Sequence, residues 1–412
     1  MSTLPAGYRA VDLPESRSGD VLELDLWAFP SAQTPEDLKD IPLSLDWART
    51  RGIEFHDELV AMHGSHGMRS FPFPGVRGTV SFLTWVGVHP GHRRRGLLTA
   101  MIREHFDRSL ARGEAVSGLF AAEPAIYGRF GYGGAAANTS GRIPRGAALR
   151  PVPGSKDVRV RLTKADAAAW DVVARLHAAQ DRPGWATRET AAQRASWEAD
   201  PAMWRDGAEP RKVALAERDG EPVGYAVFRR KEKWEGTGPR GTVLVQEVVA
   251  ADAAVAHALW SVLLDLDLMG TVEVARLAPD DVLWHLLVDI RAADRRFSDN
   301  LWMRLLDVPA ALEQRRYQAP VDVVLDVTDP FVPANTGRFR LVGGPDGAEA
   351  TRTDAAADLA VTAQALGAAY LGGVSLAALA AAGQVTERVP GTLAPAATAF
   401  GWPLAPVCSW VF

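Results

Sequence analysis

The apolar positions of the N-terminal third predict a strand, a turn and a helix in direct succession. From residue 80 to 88 both alternating sets are largely apolar, which indicates a strand buried on both faces. His89-Pro90-Gly91 ends this strand, and Gly96 begins a helix that Gly113 can close with a left-handed cap. The helix carries apolar side chains three and four positions apart, which form one packed face: Leu97, Leu98, Met101, Ile102, Phe106 and Leu110. A second strand follows at 115–122.

The same order of elements recurs in the middle of the chain. The pattern predicts strands at 213–217, 222–229 and 242–249, a helix at 253–268 and a strand at 271–277. Where the first unit has Arg93-Arg94-Arg95-Gly96 between strand and helix, the second has Ala250-Ala251-Asp252-Ala253. An acidic turn without glycine repels phosphate and places Cβ atoms in its path. We therefore predict a structural copy that has lost ligand binding.

The last part of the chain predicts a small α/β layer structure. Strands are expected at 321–327, 338–341 and 358–361, and helices at 363–369, 376–382 and 394–400. A linker rich in proline and glycine lies at 142–155, and a softer boundary lies at 294–309, where a strand-like run at 301–306 is included. These two boundaries divide the chain into three domains, at 1–148, 156–299 and 300–412. The fold class is α/β (α+β). The apolar end Trp410-Val411-Phe412 predicts a docked terminus.

Composition narrows the possible functions. The 412 residues carry 45 basic and 50 acidic side chains, and a net charge of −5 argues against non-specific nucleic-acid binding. The single cysteine, Cys408, excludes an intramolecular disulfide and favours a cytoplasmic location. No apolar run is long enough to span a bilayer, so no membrane partner is expected. No metal site is predicted, and His63, His66, His89 and His92 are expected in loops or on the surface.

The strongest chemical signal is the basic turn between strand and helix. A helix N-terminus carries unpaired N–H groups and partial positive charge, so it can hold a pyrophosphate when the backbone is accessible. Gly96 allows that access, and Arg93, Arg94 and Arg95 add charge that phosphate neutralises. A solvated basic turn is the alternative. The strand before the turn and the amphipathic helix after it favour the phosphate site.

Two motifs together resemble a known family. Arg93-x-x-Gly96-x-Leu98 resembles the acetyl-CoA loop of GCN5-related N-acetyltransferases, and Ile126-Tyr127-Gly128-Arg129-Phe130-Gly131-Tyr132-Gly133 adds a resemblance to the Eis (enhanced intracellular survival) family. The resemblance implies two tandem acetyltransferase domains, the second degenerate, a C-terminal sterol-carrier-like domain, and a homohexamer that acetylates aminoglycosides. It implies that acetyl-CoA binds at Val86, Gly87, Val88, Arg93, Arg94, Arg95, Gly96, Leu97 and Leu98.

The resemblance also implies the catalytic residues. Tyr127 matches the general acid that protonates the departing CoA thiolate, and the terminal carboxylate of Phe412 matches the general base. Apolar neighbours are expected to raise the pKa of such a carboxylate, which makes it a better base. A core tyrosine in a glycine-rich turn and a terminal aromatic that fills a core gap are the rival interpretations.

The amine acceptor is expected in an aromatic and acidic pocket of the first domain. The resemblance implies Asp25, Trp27, Trp85 and Phe120 as its candidates. Phe120, Ala122 and Val411 replace polar or acidic residues of the family, and this lowers the negative charge that would attract a polycationic antibiotic. The function predicted is acetyl transfer from acetyl-CoA to a primary amine by direct attack. The alternative is a non-catalytic protein that binds lipid or acyl-CoA through its last domain.

Overall fold

The computed structural model describes residues 4–412, and their first part forms an α/β unit. Its strands and helices are β1 (Tyr8–Asp12), α1 (Ser18–Ala28), α2 (Pro35–Leu38), β2 (Arg51–Phe55), β3 (Glu58–Phe73), β4 (Val76–Val88), α3 (Leu97–Ala111), β5 (Val116–Phe120), α4 (Pro124–Tyr127) and β6 (Gly133–Gly134). The predicted strand, turn, helix and strand correspond to β4, α3 and β5.

The middle part repeats this plan. Its elements are β7 (Ala137–Pro144), β8 (Arg159–Lys164), α5 (Ala167–Ala178), α6 (Ala191–Glu198), β9 (Lys212–Arg218), β10 (Glu221–Lys231), β11 (Trp234–Glu235), β12 (Gly238–Pro239), β13 (Gly241–Ala250), α7 (Ala253–Leu264), β14 (Met269–Leu277), α8 (Val282–Leu286) and β15 (Arg296–Asp299). The helix predicted to reach residue 268 ends four residues earlier, because its C-cap Asp265 leaves the helical conformation with a φ of −113°.

The last part is a smaller layer of strands and helices. It contains β16 (Leu301–Leu305), α9 (Val308–Glu313), β17 (Val321–Thr328), β18 (Gly337–Gly344), β19 (Gly347–Arg352), β20 (Leu359–Thr362), α10 (Ala363–Ala369), α11 (Leu376–Ala381), β21 (Val385–Glu387) and α12 (Leu393–Phe400). Five of these six strands form one sheet with the order β19-β18-β17-β20-β21. The sequence pattern did not indicate β19, which has six residues, or β21, which has three.

Two seven-stranded sheets exchange strands with each other. The first has the order β1-β2-β3-β4-β5-β16-β6, and the second has the order β15-β7-β14-β13-β10-β9-β8. The strand-like run at 301–306, assigned from sequence to the third domain, thus pairs within the first sheet, and β7, assigned to the first domain, pairs within the second. Register and apolar complementarity decide these pairings rather than chain adjacency. The limits 1–148, 156–299 and 300–412 remain a proposed division.

The first sheet is covered on both faces. Met62 of β3 packs with Val21 and Leu24 of α1, whereas its neighbour Ala61 packs with Met101 of α3. Successive side chains of a strand point to opposite faces, so α1 and α3 lie on opposite sides of the central strands. Among the described residues, no helix has both the length and the apolar content needed to cross a bilayer.

Candidate active site

The two central strands of the first sheet separate at the site. Parallel pairing of β4 with β5 covers Ser81 and Phe82 and then ends, while β4 continues to Val88. One extra residue of β4 forms a bulge against β3 here, and Trp85 takes a left-handed φ of 51°. The β5-facing edge of residues 86–88 is therefore free to pair with an extended ligand.

The basic turn leaves the N-terminus of α3 open. Gly96 is the N-cap at φ 78°, and it has no side chain that could accept from the first N–H groups of the helix. Arg94 also has a left-handed φ of 61°, which is uncommon for a residue with a Cβ atom. Three exposed arginines precede this end of the helix. Unpaired donors, helix dipole and guanidinium groups together form an anion-binding end.

The turn opens into a cleft of about 490 Å³. Eight of the nine residues predicted to bind the cofactor line it, namely Val86, Gly87, Val88, Arg93, Arg94, Gly96, Leu97 and Leu98. Arg95 does not line the cleft, and its Nη2 lies 3.5 Å from the carbonyl oxygen of Gly91. The opposite wall consists of the segment after β5, including Ala122, Glu123, Ile126, Tyr127 and Arg129.

Tyr127 reaches this cleft from the end of α4. Burial, and after it the nearby Glu123 carboxylate, raise the pKa of Tyr127 to about 12, so its phenol is protonated at neutral pH. Its ring centroid lies 6.0 Å from that of Tyr132. Tyr132 is completely buried and shares a 2.8 Å hydrogen bond with Ser117. Tyr127 is thus the tyrosine with access to a ligand, and Tyr132 holds the scaffold.

Phe412 lies where β4 and β5 separate. Its main-chain oxygen accepts a 2.8 Å hydrogen bond from the Thr84 hydroxyl, and its ring centroid lies 4.3 Å from Phe82 and 5.1 Å from Phe120. The residue is 9% exposed and is not among those that line the cleft. The end of the chain is therefore held beside the bulge, between the two central strands.

The four residues predicted for the acceptor pocket have different environments. Asp25 is half-buried on α1, and loss of hydration raises the pKa of its carboxyl to about 6. Trp27 is 58% exposed and packs on the His89 ring at 4.9 Å, whereas Trp85 packs among the apolar residues beneath α1. Phe120 is the one of the four in contact with Phe412. None of the four lines the cleft, which is reached instead by Ala28, the last residue of α1, and by Phe29 directly after it.

The prediction for two of the histidines was wrong. His63 and His66 lie in β3 and are 2% and 4% exposed, because α1 and α3 cover both faces of that strand. Burial lowers the pKa of His63 to about 3 and that of His66 to about 4, so both rings are neutral. Within residues 4–412, no three potential ligand side chains assemble into a metal site.

The corresponding turn of the second sheet is closed. Asp252 is the N-cap of α7 and its carboxylate accepts a 2.9 Å hydrogen bond from the N–H of Val255. The same carboxylate pairs with Arg218 at 2.8 Å. Asp252 thus engages one of the N-terminal donors of the kind that α3 leaves uncapped, and the loss of ligand binding in the second copy stays a prediction.

Glu123 was missed by the sequence reasoning. It lies four residues before Tyr127, lines the same cleft and contributes to the raised pKa of the phenol. Its spacing would place the two side chains on one face of a helix, but a turn of only four residues gives too weak a periodic signal to be found.

Comparison with known proteins gives the same architecture. Residues 11–135 and 184–306 each match the family described as Acetyltransferase (GNAT) domain, and residues 308–409 match the family described as Sterol carrier protein domain. The predicted fold class is thereby confirmed. The crystal structure of Eis1 from Mycobacterium abscessus superposes with a TM-score of 0.83 at 29% identity over 98% of this chain and 100% of that chain.

Sequence relatives carry the same activity in their names. An uncharacterized N-acetyltransferase of Streptomyces avermitilis is 45% identical over 366 residues, which are 87% of this chain and 88% of that protein. N-acetyltransferase Eis of Mycobacterium tuberculosis is 35% identical over 317 residues, 74% of each chain. The protein is an acetyl-CoA-dependent acyltransferase, and it belongs to the Eis family of GCN5-related N-acetyltransferases.

Proposed function

We propose that this enzyme transfers the acetyl group of acetyl-CoA directly to a primary amine, with Tyr127 as general acid and the carboxylate of Phe412 as general base. The proposed acceptor is an aminoglycoside or a similar polyamine. The observation that carries the proposal is the open N-terminus of α3 beside the unpaired edge of β4, with Tyr127 on the opposite wall of the same cleft.

The residues of the turn fit a pyrophosphate. The first N–H groups of α3 donate to it, Gly96 lets the ligand approach the backbone, and Arg93 and Arg94 balance its charge. The free edge at residues 86–88 pairs with the pantetheine arm, as a neighbouring strand would. Arg95 acts through its charge alone in this proposal, because it does not line the cleft.

The reaction needs two proton transfers. The neutral amine nitrogen attacks the thioester carbonyl carbon, the C–S bond breaks, and the nitrogen loses a proton to the Phe412 carboxylate directly or through water. Tyr127 gives its phenolic proton to the departing sulfur, since its raised pKa keeps that proton in place at neutral pH. Cys408 takes no part, because it is completely buried.

The Asp25 carboxyl supports a cationic acceptor. It is half-buried on α1, whose last residue, Ala28, lines the cleft, and a carboxylate that has lost hydration gains from an approaching ammonium group.

We also propose a cytoplasmic homohexamer. Support for assembly comes from exposed aromatic side chains, among them Trp234 and Phe297 at 64% and 65% exposure, and light scattering would then give six times the 44.4 kDa of one chain.

The test is consumption of acetyl-CoA with a panel of amines, followed by thiol release and by the mass of the acetylated product. We expect acceptor-dependent thiol release whose rate rises with pH, since a protonated amine cannot attack. A variant extended by Gly-Ser beyond Phe412 should lose at least tenfold in kcat with unchanged acetyl-CoA affinity. Full activity of that variant contradicts the base role, and a flat profile from pH 6 to 9 contradicts attack by a neutral amine. Acetyl-CoA binding without any turnover favours a binding protein instead.

A further inference from the structure

The segment 407–412 runs from the second sheet to the first. The N–H of Val407 donates to the carbonyl oxygen of Pro183 at 3.0 Å, and the indole N–H of Trp410 donates to the carbonyl oxygen of Ala186 at 2.7 Å. Between them, the hydroxyl of Ser409 donates to Oε1 of Glu247 at 2.6 Å. Ser409 is 4% exposed, so this contact is shielded from solvent. The segment is therefore fixed on the second domain before it reaches the active site.

Glu247 is the centre of a buried polar cluster. The Arg188 guanidinium lies 2.6 Å from Oε1, the Tyr225 hydroxyl donates to Oε2 at 2.6 Å, and Nδ1 of His177 lies 3.5 Å from Oε1. Burial by itself would raise the pKa of Glu247, but Arg188 and then His177 outweigh it and hold that pKa well below its usual range. Glu247 is consequently an anion at every physiological pH, held from several sides.

The two ends of this segment occupy corresponding places in the two sheets. The last parallel pair of the central strands is Phe82 with Gly118 in the first sheet and Val245 with Val274 in the second. Thr84 and Glu247 each lie two residues beyond that pair. Thr84 donates to the main-chain oxygen of Phe412, and Glu247 accepts from Ser409. In the first sheet, the gap between β4 and β5 lies at the candidate active site. In the second sheet, the corresponding gap between β13 and β14 binds Ser409 of the segment 407–412 through Glu247.

We propose that the second domain is an anchor for the catalytic end of the chain, and that Ser409 and Glu247 are positioning residues that hold the Phe412 carboxylate in place. This inference rests on the proposed role of that carboxylate as the base. Phe412 lies three positions after Ser409, a reach of roughly 10 Å when extended. With both ends held, the carboxylate has little freedom, and loss of the Ser409 contact widens the range of positions that it can take.

The first experiment compares two variants that each lose one hydrogen bond to the same Glu247 carboxylate. Ser409→Ala removes the one contact between the segment 407–412 and Glu247, whereas Tyr225→Phe leaves every contact of that segment in place. We expect Ser409→Ala to lower kcat about tenfold with acetyl-CoA affinity within twofold of the parent, and Tyr225→Phe to keep kcat within twofold. Ser409→Thr, which restores the hydroxyl, should recover most of the loss. Equal losses in Ser409→Ala and Tyr225→Phe, or no loss in either, overturn the anchor.

The second experiment removes residues 409–412 and tests Glu247→Gln in both backgrounds. If Glu247 acts through the tail, its substitution lowers kcat in the full chain and changes nothing further in the shortened one. Equal losses in both backgrounds overturn the anchor but leave the base role intact. Full activity of the shortened chain overturns the base role itself, and the anchor with it. Should Glu247→Gln not fold, Ser409→Ala in the full chain still decides.

Discussion

Asp25→Asn should make the enzyme more stable and poorer at binding its acceptor. Loss of hydration raises the pKa of Asp25 from 3.8 to about 6, so the folded state disfavours the ionised form. At 1.36 kcal/mol per unit, the ionised carboxyl destabilises the fold by at most about 3 kcal/mol. The carboxyl is only half-buried and water screens it, so we expect a gain of about 1–2 kcal/mol for the asparagine variant at pH 7.5.

The pH dependence of this gain follows from the direction of the shift. Because the folded state binds the proton more tightly than the unfolded one, the penalty is absent below pH 3.8, grows as pH rises towards 6 and is constant above it. Urea unfolding at pH 5 and 7.5 should therefore show a larger gain at pH 7.5. The same variant should raise the KM of a cationic acceptor about three- to tenfold, with the affinity for acetyl-CoA unchanged. A variant no more stable than the parent at pH 7.5 would refute the reasoning.

The remaining predictions concern the proposed general acid Tyr127, the turn before α3 and the N-cap of α7 in the second domain. Tyr127→Phe should lower kcat by a factor of roughly 10² with unchanged acetyl-CoA affinity. Tyr132→Phe should lower the stability of the fold and change kcat far less. Because the pKa of Tyr127 is about 12, ionisation of this phenol should cause no loss of rate in the parent enzyme below pH 10. Gly96→Ala and Gly113→Ala each place an alanine at a left-handed φ, 78° and 76°, at opposite ends of α3. Calorimetry should find a similar loss of about 1 kcal/mol in stability for both variants. Acetyl-CoA binding should be weaker in Gly96→Ala alone. Asp252→Ala should cost about 1 kcal/mol of stability through the lost cap and leave acetyl-CoA binding unchanged; reduced affinity would mean that the second domain still takes part in binding.

Local patterns predicted the local parts of the site. The strand, turn and helix around Gly96 are continuous in sequence, so their periodicity and the glycine carry the whole signal. The contact from Thr84 to Phe412 joins residues 328 positions apart, and that from Ser409 to Glu247 joins residues 162 apart, and no pattern along the chain encodes either. The family resemblance implied a role for Phe412 but not for Glu247. The two buried histidines were misjudged because a strand covered on both faces needs no apolar alternation.

The exchange of strands gives a structural basis for the proposed anchor, in which a copy predicted to lack a phosphate site serves the reaction. Strand β16 follows the second sheet in the chain but pairs with β5 and β6 of the first, and β7 follows the first sheet but pairs with β14 and β15 of the second. Removing residues 156–299 would therefore leave β7 without its partners β14 and β15, and it would remove the chain that leads into β16 beside β5. Each sheet holds an element of the other, so the relative position of Thr84 and Glu247 is fixed by main-chain ladders rather than by side-chain contacts alone. A short segment held at both of those residues then has a defined path, and this is the condition under which a chain end can act as a precisely placed base.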